Sequence, residues 1–247
     1  MSREKLIQIY QNTKVVCSDV SIPDSVKSIC LFVGTYGSGK EKNGNVIIEP
    51  MDTVSALIQH CASNKTTAVL NMASSKRKGG GVENGSMAQE ECLFRCSNLF
   101  TIPDAFYPIL QKEFIYTRGA SFVKNSEYQV IIPVEADVIT MPAINLNKTH
   151  QDNLQNQDSV ENYEEIMIEK IEKMFDIAAF HMCDNIILGA WGCGVFKNDP
   201  KVVAGFFNKV IEKKRMFFDN IIFAVINDNN SVANNYEIFK NTIKTKF

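Results

Sequence analysis

Three consecutive glycines, Gly79-Gly80-Gly81, limit the folds open to this chain more than any other segment. The apolar residues 67–70 precede them and predict a short buried strand that ends at Asn71. After the glycines, Ser86-Met87-Ala88-Gln89 has the Ser-x-x-Gln form of a helix capping box, and helix-forming residues continue to Leu99. The sequence therefore predicts a strand, a glycine loop and a capped helix in direct succession.

Two adjacent carboxylates, Glu90 and Glu91, fall in the first turn of the predicted helix. Backbone N–H groups of a glycine loop can approach an anionic ligand closely, and a helix N-terminus adds positive potential. Successive helical residues are about 100° apart, so we expect one carboxylate to act on a bond while the other holds neighbouring groups. A solvent-exposed pair that only caps the helix is the alternative.

The segment Gly79-Gly80-Gly81, seven residues and Gln89-Glu90-Glu91 resembles the GGG-(x6–8)-QEE signature of poly(ADP-ribose) glycohydrolases. These enzymes have a macrodomain fold, and the chain is similar to their short, microbial-type branch. The resemblance implies an α/β fold, a macrodomain-like three-layer α/β/α sandwich with a mixed central sheet. It implies one catalytic domain over residues 1–247, with an N-terminal helical extension. Three further blocks carry the likeness: residues 70–75, 139–145 and 188–200.

The resemblance assigns roles to individual residues. It implies Glu91 as general acid and base, and Glu90 as the binder of ribose hydroxyls at the scissile linkage. It implies that Asn71 hydrogen-bonds a ribose hydroxyl, although a plain turn-forming role stays open. The remaining implied substrate-binding residues are Gly79, Gly80, Gly81, Val82 and Gln89, followed by Gly192, Cys193, Gly194, Val195 and Phe196.

The second of these groups, residues 192–196, is expected to wrap a pyrophosphate with its backbone N–H groups. Phe196 would then pack on the distal ribose, and burying an ordinary loop is its alternative role. Cys193 is expected to contribute its backbone and small size, because no histidine that could activate a thiolate lies near it in sequence.

The implied activity is hydrolysis of ribose–ribose O-glycosidic bonds, with poly(ADP-ribose) or ADP-ribosylated proteins as substrate and ADP-ribose as product. No cofactor and no metal ion are expected. Two alternatives stay open: an ADP-ribose-binding macrodomain that does not cut, and a hydrolase of single ADP-ribosyl units on protein or nucleic acid. Intact Gln89-Glu90-Glu91 favours an enzyme, since a binding module needs neither acid.

Length and composition fit a globular protein: 247 residues, 22% of them charged, with a net charge of −2. Such a charge gives no reason to expect duplex nucleic acid or a membrane as partner. Seven cysteines without CxxC spacing indicate a reducing compartment. No signal-peptide core follows Met1. We expect an intracellular, cytoplasmic protein, with a nuclear location open if the source is eukaryotic.

Residues 34–40 come close to a nucleotide-binding P-loop, with the form G-x-x-x-x-G-K after an expected strand. Glu41 stands where Ser or Thr should meet magnesium, so we interpret the segment as a mobile surface loop. Elsewhere the pattern predicts helices over residues 3–13, 53–61, 160–182 and 200–213. It predicts strands over 29–33, 45–49, 115–116, 128–134, 136–140, 186–188 and 221–226, and an exposed loop over 145–158.

Overall fold

The computed structural model describes residues 1–28, 42–62, 64–147, 162–227 and 234–246. The expected strand 29–33, the glycine segment 34–40 and positions 148–158 of the expected loop lie outside these ranges. The chain divides into two units, the first formed by Met1–Cys30 with Asp52–Pro142 and the second by Leu31–Met51 with Ala143–Phe247. A single catalytic domain therefore stays a prediction.

The first unit contains the glycine loop and both adjacent carboxylates. Its helices are α1 (Arg3–Val16), α2 (Thr53–His60) and α3 (Gln89–Cys96), and its strands are β1 (Asp24–Ser28), β3 (Thr67–Asn71), β4 (Phe114–Lys124) and β5 (Val130–Thr140). β3 runs parallel to β5, while β4 is antiparallel to both β5 and β1. Every residue of β3 is buried, so the strand predicted from the apolar run is confirmed and its end at Asn71 is fixed by the core.

The second unit has strand β2 (Asn45–Glu49), helix α4 (Tyr163–Phe180), strand β6 (Asn185–Leu188), helix α5 (Pro200–Lys214), strand β7 (Asn220–Ala224) and helix α6 (Asn235–Thr242). β7 is parallel to both β6 and β2. Pro200 begins α5, as the sequence predicted, and the structure shows that Asp199 caps it. No described helix combines the length and the apolar character needed to cross a membrane.

Helix α1 is fastened to the back of α3 by buried polar groups. The fully buried Arg95 donates from Nε to the carbonyl of Leu6 at 3.2 Å and from Nη2 to the carbonyl of Ser86 at 2.5 Å. Thr13 Oγ1 donates to the carbonyl of Arg95 at 2.5 Å and accepts from Lys124 Nζ at 2.9 Å. The helix that carries the two carboxylates is therefore held in place from its far side.

Several sequence-based boundaries are wrong: the strand predicted at 115–116 extends over Phe114–Lys124, and two further errors have a clear cause. Residues 130–134 and 136–140 belong to one strand, β5, while Tyr128 lies in the loop before it. The side chains of β5 change from mostly exposed to fully buried near Ala136. The sequence pattern changes at the same point, which led to the prediction of two strands. Helix α3 ends at Cys96 instead of Leu99, because the backbone of Ser97 forms a bridge with Phe122 of β4.

Candidate active site

Gln89 joins the start of α3 to the end of β3. Its Oε1 accepts from the N–H of Met72 at 2.9 Å, and its Nε2 donates to the carbonyl of Leu70 at 2.6 Å and to Thr53 Oγ1 at 3.2 Å. Its side chain is therefore engaged within the protein. A contact between Gln89 and substrate stays a prediction, while the structure shows how Gln89 holds the helix against the strand.

Glu90 is buried, with 4% of its surface exposed. Its Oε2 accepts from the N–H of Ser74 at 2.7 Å, and its Oε1 lies 3.5 Å from Asn71 Nδ2. Burial raises the pKa of Glu90 to about 8, and the neighbouring charge of Glu91 adds to this rise against the hydrogen bonds from Ser74, Asn71 and the Gly79 backbone. Glu90 is therefore mostly protonated at neutral pH.

Glu91 is held by the backbone on both of its oxygens. Oε1 accepts from the N–H of Gly81 at 2.9 Å, and Oε2 accepts from the N–H of Ala88 at 2.9 Å. The N-cap of α3 is thus Ala88, and the predicted capping box of Ser86 and Gln89 is wrong. The amide of Gln89 is already bonded to β3, so Glu91 caps the helix in its place.

The two carboxyl groups meet over Gly80. A carbon placed at the Cβ position of Gly80 would lie 2.5 Å from Oε1 of Glu91 and 3.0 Å from Oε2 of Glu90. Gly80 also has a φ of +58°, which side-chain-bearing residues rarely adopt. The Cα–Cβ bonds of Glu90 and Glu91 point in different directions on the helix, but their carboxyl groups approach the same position. A side chain at residue 80 would occupy that position, so glycine is required there.

The backbone N–H groups of the glycine loop bind within the protein. Gly80 donates to the carbonyl of Arg77 and Val82 to that of Gly79, each at 3.0 Å, and Gly81 donates to Glu91. The side chain of Val82 is a core residue with 1% exposure. In the free protein this loop therefore donates to the carboxyl group of Glu91, and its contact with a ligand stays a prediction.

Asn71 lies fully buried at the end of β3. Its Nδ2 is 3.3 Å from Thr140 Oγ1 and 3.5 Å from Glu90 Oε1. Its Oδ1 is buried and has no hydrogen-bond partner among the described residues. A buried acceptor without a partner is costly, so Asn71 does more than form a turn and offers an open acceptor beside Glu90.

The loop 192–196 belongs to the second unit and is organised by Asn198, which is fully buried. Asn198 Nδ2 donates to the carbonyls of Ile144 and Gly192, each at 2.9 Å, while its Oδ1 accepts from the hydroxyl of Tyr163 at 2.7 Å. Gly192 has a φ of +76°, and a Cβ there would lie 2.6 Å from Asn198 Nδ2. Glycine is required at 192 for both reasons.

Two carbonyl groups of this loop accept hydrogen bonds from within the protein. These bonds fix the direction of the N–H group in each of the two peptides. The carbonyl of Gly194 accepts from the N–H of Lys197 at 3.1 Å, and that of Val195 accepts from Asn147 Nδ2 at 3.1 Å. A trans peptide points its C=O and the following N–H in opposite directions. The N–H groups of Val195 and Phe196 therefore point away from these partners, as the expected contact with a pyrophosphate requires.

Cys193 is fully buried. Burial, with a smaller contribution from the charge of Asp199, raises the pKa of the Cys193 thiol well above its usual range. This thiol stays protonated, in agreement with the expectation that Cys193 contributes backbone and not a thiolate. Across the described ranges, no cluster of His, Cys, Asp and Glu side chains is arranged to hold a metal ion.

Sequence reasoning did not single out Ser74 or Asn198 as site residues. Both lie in the blocks that carry the family resemblance, so their positions gave a signal. Ser74 acts through its backbone N–H, however, and Asn198 acts through a buried side-chain amide that bonds several loop groups. Neither role has a pattern in the sequence.

Glu90→Gln is expected to remove a dependence of stability on pH between about 4.5 and 8. Folding raises the pKa of Glu90, so its stabilising contribution is complete below pH 4.5 and is lost as the pH rises through 8. The amide cannot ionise, and the Tm of the variant should therefore exceed that of the wild type at about pH 9 and approach it at about pH 5.

Differential scanning calorimetry across this range measures the effect. Glu83→Gln is the control, because the Glu83 side chain is 58% exposed in its pair with Lys14. A constant Tm difference between Glu90→Gln and wild type at every pH would contradict the raised pKa.

Asn198→Asp is expected to destabilise the protein by about 2–4 kcal/mol. The substitution keeps the shape but replaces a donor with an oxygen that faces the carbonyls of Gly192 and Ile144. Urea unfolding measures the loss. Tyr163→Phe, which removes only one hydrogen bond to Asn198, should cost about 1 kcal/mol. Equal losses of stability in the two variants would argue against the organising role of Asn198.

A scan against protein-family models matches residues 4–130, just over half of the chain, to the model described as "Microbial-type PARG, catalytic domain". The match includes α1, the glycine loop and α3. The search of the curated proteins finds no significant match.

Solved structures of poly(ADP-ribose) glycohydrolases are similar to this chain over nearly all of its length. The Thermomonospora curvata protein is 23% identical with a TM-score of 0.78, covering 97% of this chain and 100% of that one. The Deinococcus radiodurans protein in complex with ADP-ribose is 24% identical with a TM-score of 0.72, covering 97% and 90%.

A second Thermomonospora curvata structure, bound to the inhibitor ADP-HPD, is 24% identical with a TM-score of 0.67, covering 98% and 83%. The likeness to these structures shows the fold. The predicted fold class, an α/β macrodomain-like sandwich with a mixed sheet, is confirmed.

Proposed function

The chain belongs to the microbial-type PARG catalytic domain family, and we propose that Glu91 is the general acid and base with which it hydrolyses poly(ADP-ribose). The enzyme is a glycosidase that cuts ribose–ribose O-glycosidic bonds and releases ADP-ribose. Such a cleavage needs a proton donor for the leaving oxygen and a base for the attacking water.

The observation that carries the proposal is the convergence of two carboxyl groups over Gly80. Burial keeps Glu90 mostly protonated near neutral pH, so the pair does not carry two full negative charges. A protonated Glu90 can both donate to and accept from sugar hydroxyls. Glu91, fixed by two backbone N–H groups, presents its carboxyl group in one orientation.

In the proposed reaction, the one proton that the converging carboxyl pair shares lies on Glu91 when Glu91 protonates the ribose oxygen that leaves as the bond to the anomeric carbon breaks. The resulting carboxylate then removes a proton from the water that attacks this carbon, which returns Glu91 to its starting state. One group thus serves as acid and then as base. Glu90 and Asn71 hold the hydroxyls of the ribose that is attacked, and no metal ion is needed for either proton transfer.

The loop 192–196 is proposed to bind the pyrophosphate through backbone N–H groups, with Phe196 against the distal ribose. The carbonyls of Gly194 and Val195 accept hydrogen bonds from Lys197 and Asn147, so the N–H groups of Val195 and Phe196 point away from these two partners. This orientation supports the proposal. Gly79, Gly80, Gly81 and Val82 are proposed to line the substrate with their backbone.

ADP-ribosylated proteins are the proposed carriers of the polymer, and the cytoplasm is the proposed location. Six cysteines among the described residues are free thiols, which suits a reducing compartment.

The proposed activity is tested by incubating the protein with poly(ADP-ribose) and, separately, with mono-ADP-ribosylated protein, and by identifying the released species by mass spectrometry. We expect ADP-ribose from the polymer, at a rate that EDTA leaves unchanged. Binding without release would indicate a non-cutting ADP-ribose module. Release from the mono-ADP-ribosylated protein alone would indicate a hydrolase of single units.

A further inference from the structure

The segment that follows α3 is attached to the loop beside Glu90. Lys78 Nζ donates to the carbonyl of Ile102 at 2.8 Å and pairs with Asp104 at 2.6 Å. Ile109 donates its N–H to the carbonyl of Ser75 at 2.7 Å. Tyr107 lies between these two attachment points, and Ser74, next to Ser75, is the residue whose N–H binds Glu90. The fold thus attaches the segment that contains Tyr107 to the loop that binds Glu90, although this segment lies outside the recognised motif.

The hydroxyl of Tyr107 is buried and has no hydrogen-bond partner within the described part of the chain. Burial raises the pKa of this hydroxyl, so it stays protonated and can donate a hydrogen bond. The ring is only partly buried while its oxygen is enclosed. Tyr107 therefore directs its polar end into the protein, from the segment that is attached next to Ser74.

A second unpartnered polar atom lies in the same neighbourhood. Asn71 Oδ1 is buried without a partner among the described residues, and Asn71 Nδ2 is within 3.5 Å of Glu90. Native proteins leave few buried polar groups unpaired, because each one costs free energy. Two such atoms, one on Asn71 beside Glu90 and one on Tyr107 in the segment attached next to Ser74, indicate groups kept ready for a ligand. A phenol donates and accepts while an amide oxygen only accepts, so together they suit the adjacent hydroxyls of a sugar.

We propose that the hydroxyl of Tyr107 hydrogen-bonds a hydroxyl of the ribose whose anomeric carbon is attacked, next to Asn71 and Glu90. Tyr107 is thus a substrate-contacting residue that the glycine-loop motif does not contain. The inference rests on the proposed hydrolysis of poly(ADP-ribose), and it locates a further contact at that same site.

Tyr107→Phe tests the assignment, because it removes the oxygen and keeps the ring. We expect kcat/KM for poly(ADP-ribose) and the affinity for ADP-ribose each to fall about 10- to 100-fold. The affinity for ADP, which lacks the second ribose, should stay unchanged. The Tm should equal or exceed that of the wild type, since the variant loses a buried oxygen without a partner. Calorimetric titrations with ADP-ribose and ADP, thermal melts and hydrolysis rates give the four readouts.

Tyr10→Phe is the matched control, because Tyr10 is a buried tyrosine on α1, and its substitution should leave ADP-ribose affinity and turnover at wild-type values. Unchanged ADP-ribose affinity in Tyr107→Phe would overturn the inference, and so would an equal loss of ADP affinity or a clear fall in Tm. If the wild type binds ADP-ribose but releases nothing from the polymer, the proposed function fails. The comparison of ADP-ribose with ADP still decides the contact of Tyr107 in that case.

Discussion

Glu91→Gln is expected to lower kcat on poly(ADP-ribose) by about 10²- to 10⁴-fold or more, while ADP-ribose still binds. The amide cannot donate a proton to the leaving oxygen or accept one from water, so both proton transfers lose their carrier. The fold should survive, because the amide oxygen can still accept from one of the two N–H groups, Gly81 or Ala88, that Glu91 now binds. Single-turnover hydrolysis and calorimetry with ADP-ribose separate the two effects.

Glutamine is a sharper choice than alanine at this position. Glu91→Ala would leave the N–H groups of both Gly81 and Ala88 without their acceptor, and loss of a helix cap alone costs about 0.5–2 kcal/mol. Glu83→Gln, in the same loop but exposed, is the control and should keep wild-type turnover. Turnover near the wild-type rate in Glu91→Gln would remove Glu91 from the role of acid and base.

Gly80→Ala should lower turnover by about 10²-fold or more with a much smaller effect on stability. The added methyl group would lie 2.5 Å from Glu91 Oε1 and 3.0 Å from Glu90 Oε2, so both carboxyl ends must move. Their displacement is cheap for the fold, because they are the ends of flexible side chains. It is expensive for catalysis, since a shift near 1 Å can cost about 10²-fold.

Gly119→Ala separates this effect from backbone strain. Gly119 has a φ of +66°, similar to the +58° of Gly80, but a Cβ there would meet nothing within 4 Å. Both variants should lose about 1–2 kcal/mol of stability from the left-handed backbone, and only Gly80→Ala should lose turnover. Hydrolysis rates and urea unfolding of the pair measure this. Equal turnover in the two variants would show that Gly80 does not make room for the carboxyl groups.

The sequence predicted much of the local structure correctly. β3 and β2 were predicted because short apolar runs favour strands, and α5 was predicted from Pro200 at its start. β1 and α6 carry little apolar periodicity and were not predicted. The division of β5 into two strands was wrong because the pattern records burial, which changes along this single strand.

The amino-acid sequence by itself determined the family and the position of the carboxyl pair. Three glycines, a fixed spacing and Gln89-Glu90-Glu91 are local features, and local features can be recognised without knowing what lies opposite them. The sequence also indicated that two opposing influences act on the pKa values of the pair. A neighbouring carboxylate raises a carboxyl pKa, while a helix N-terminus lowers it.

Only the tertiary structure decided which group is neutral, which group caps the helix and what surrounds the pair. The pKa of Glu90 rises because β3 and the loop bury it, and burial depends on residues distant in sequence. Glu91 became the cap because Gln89 was already bonded to β3. The contacts of Lys78 and Ile109 attach the segment that contains Tyr107 to the loop beside Glu90. Such facts come from long-range packing and desolvation, which no short motif encodes.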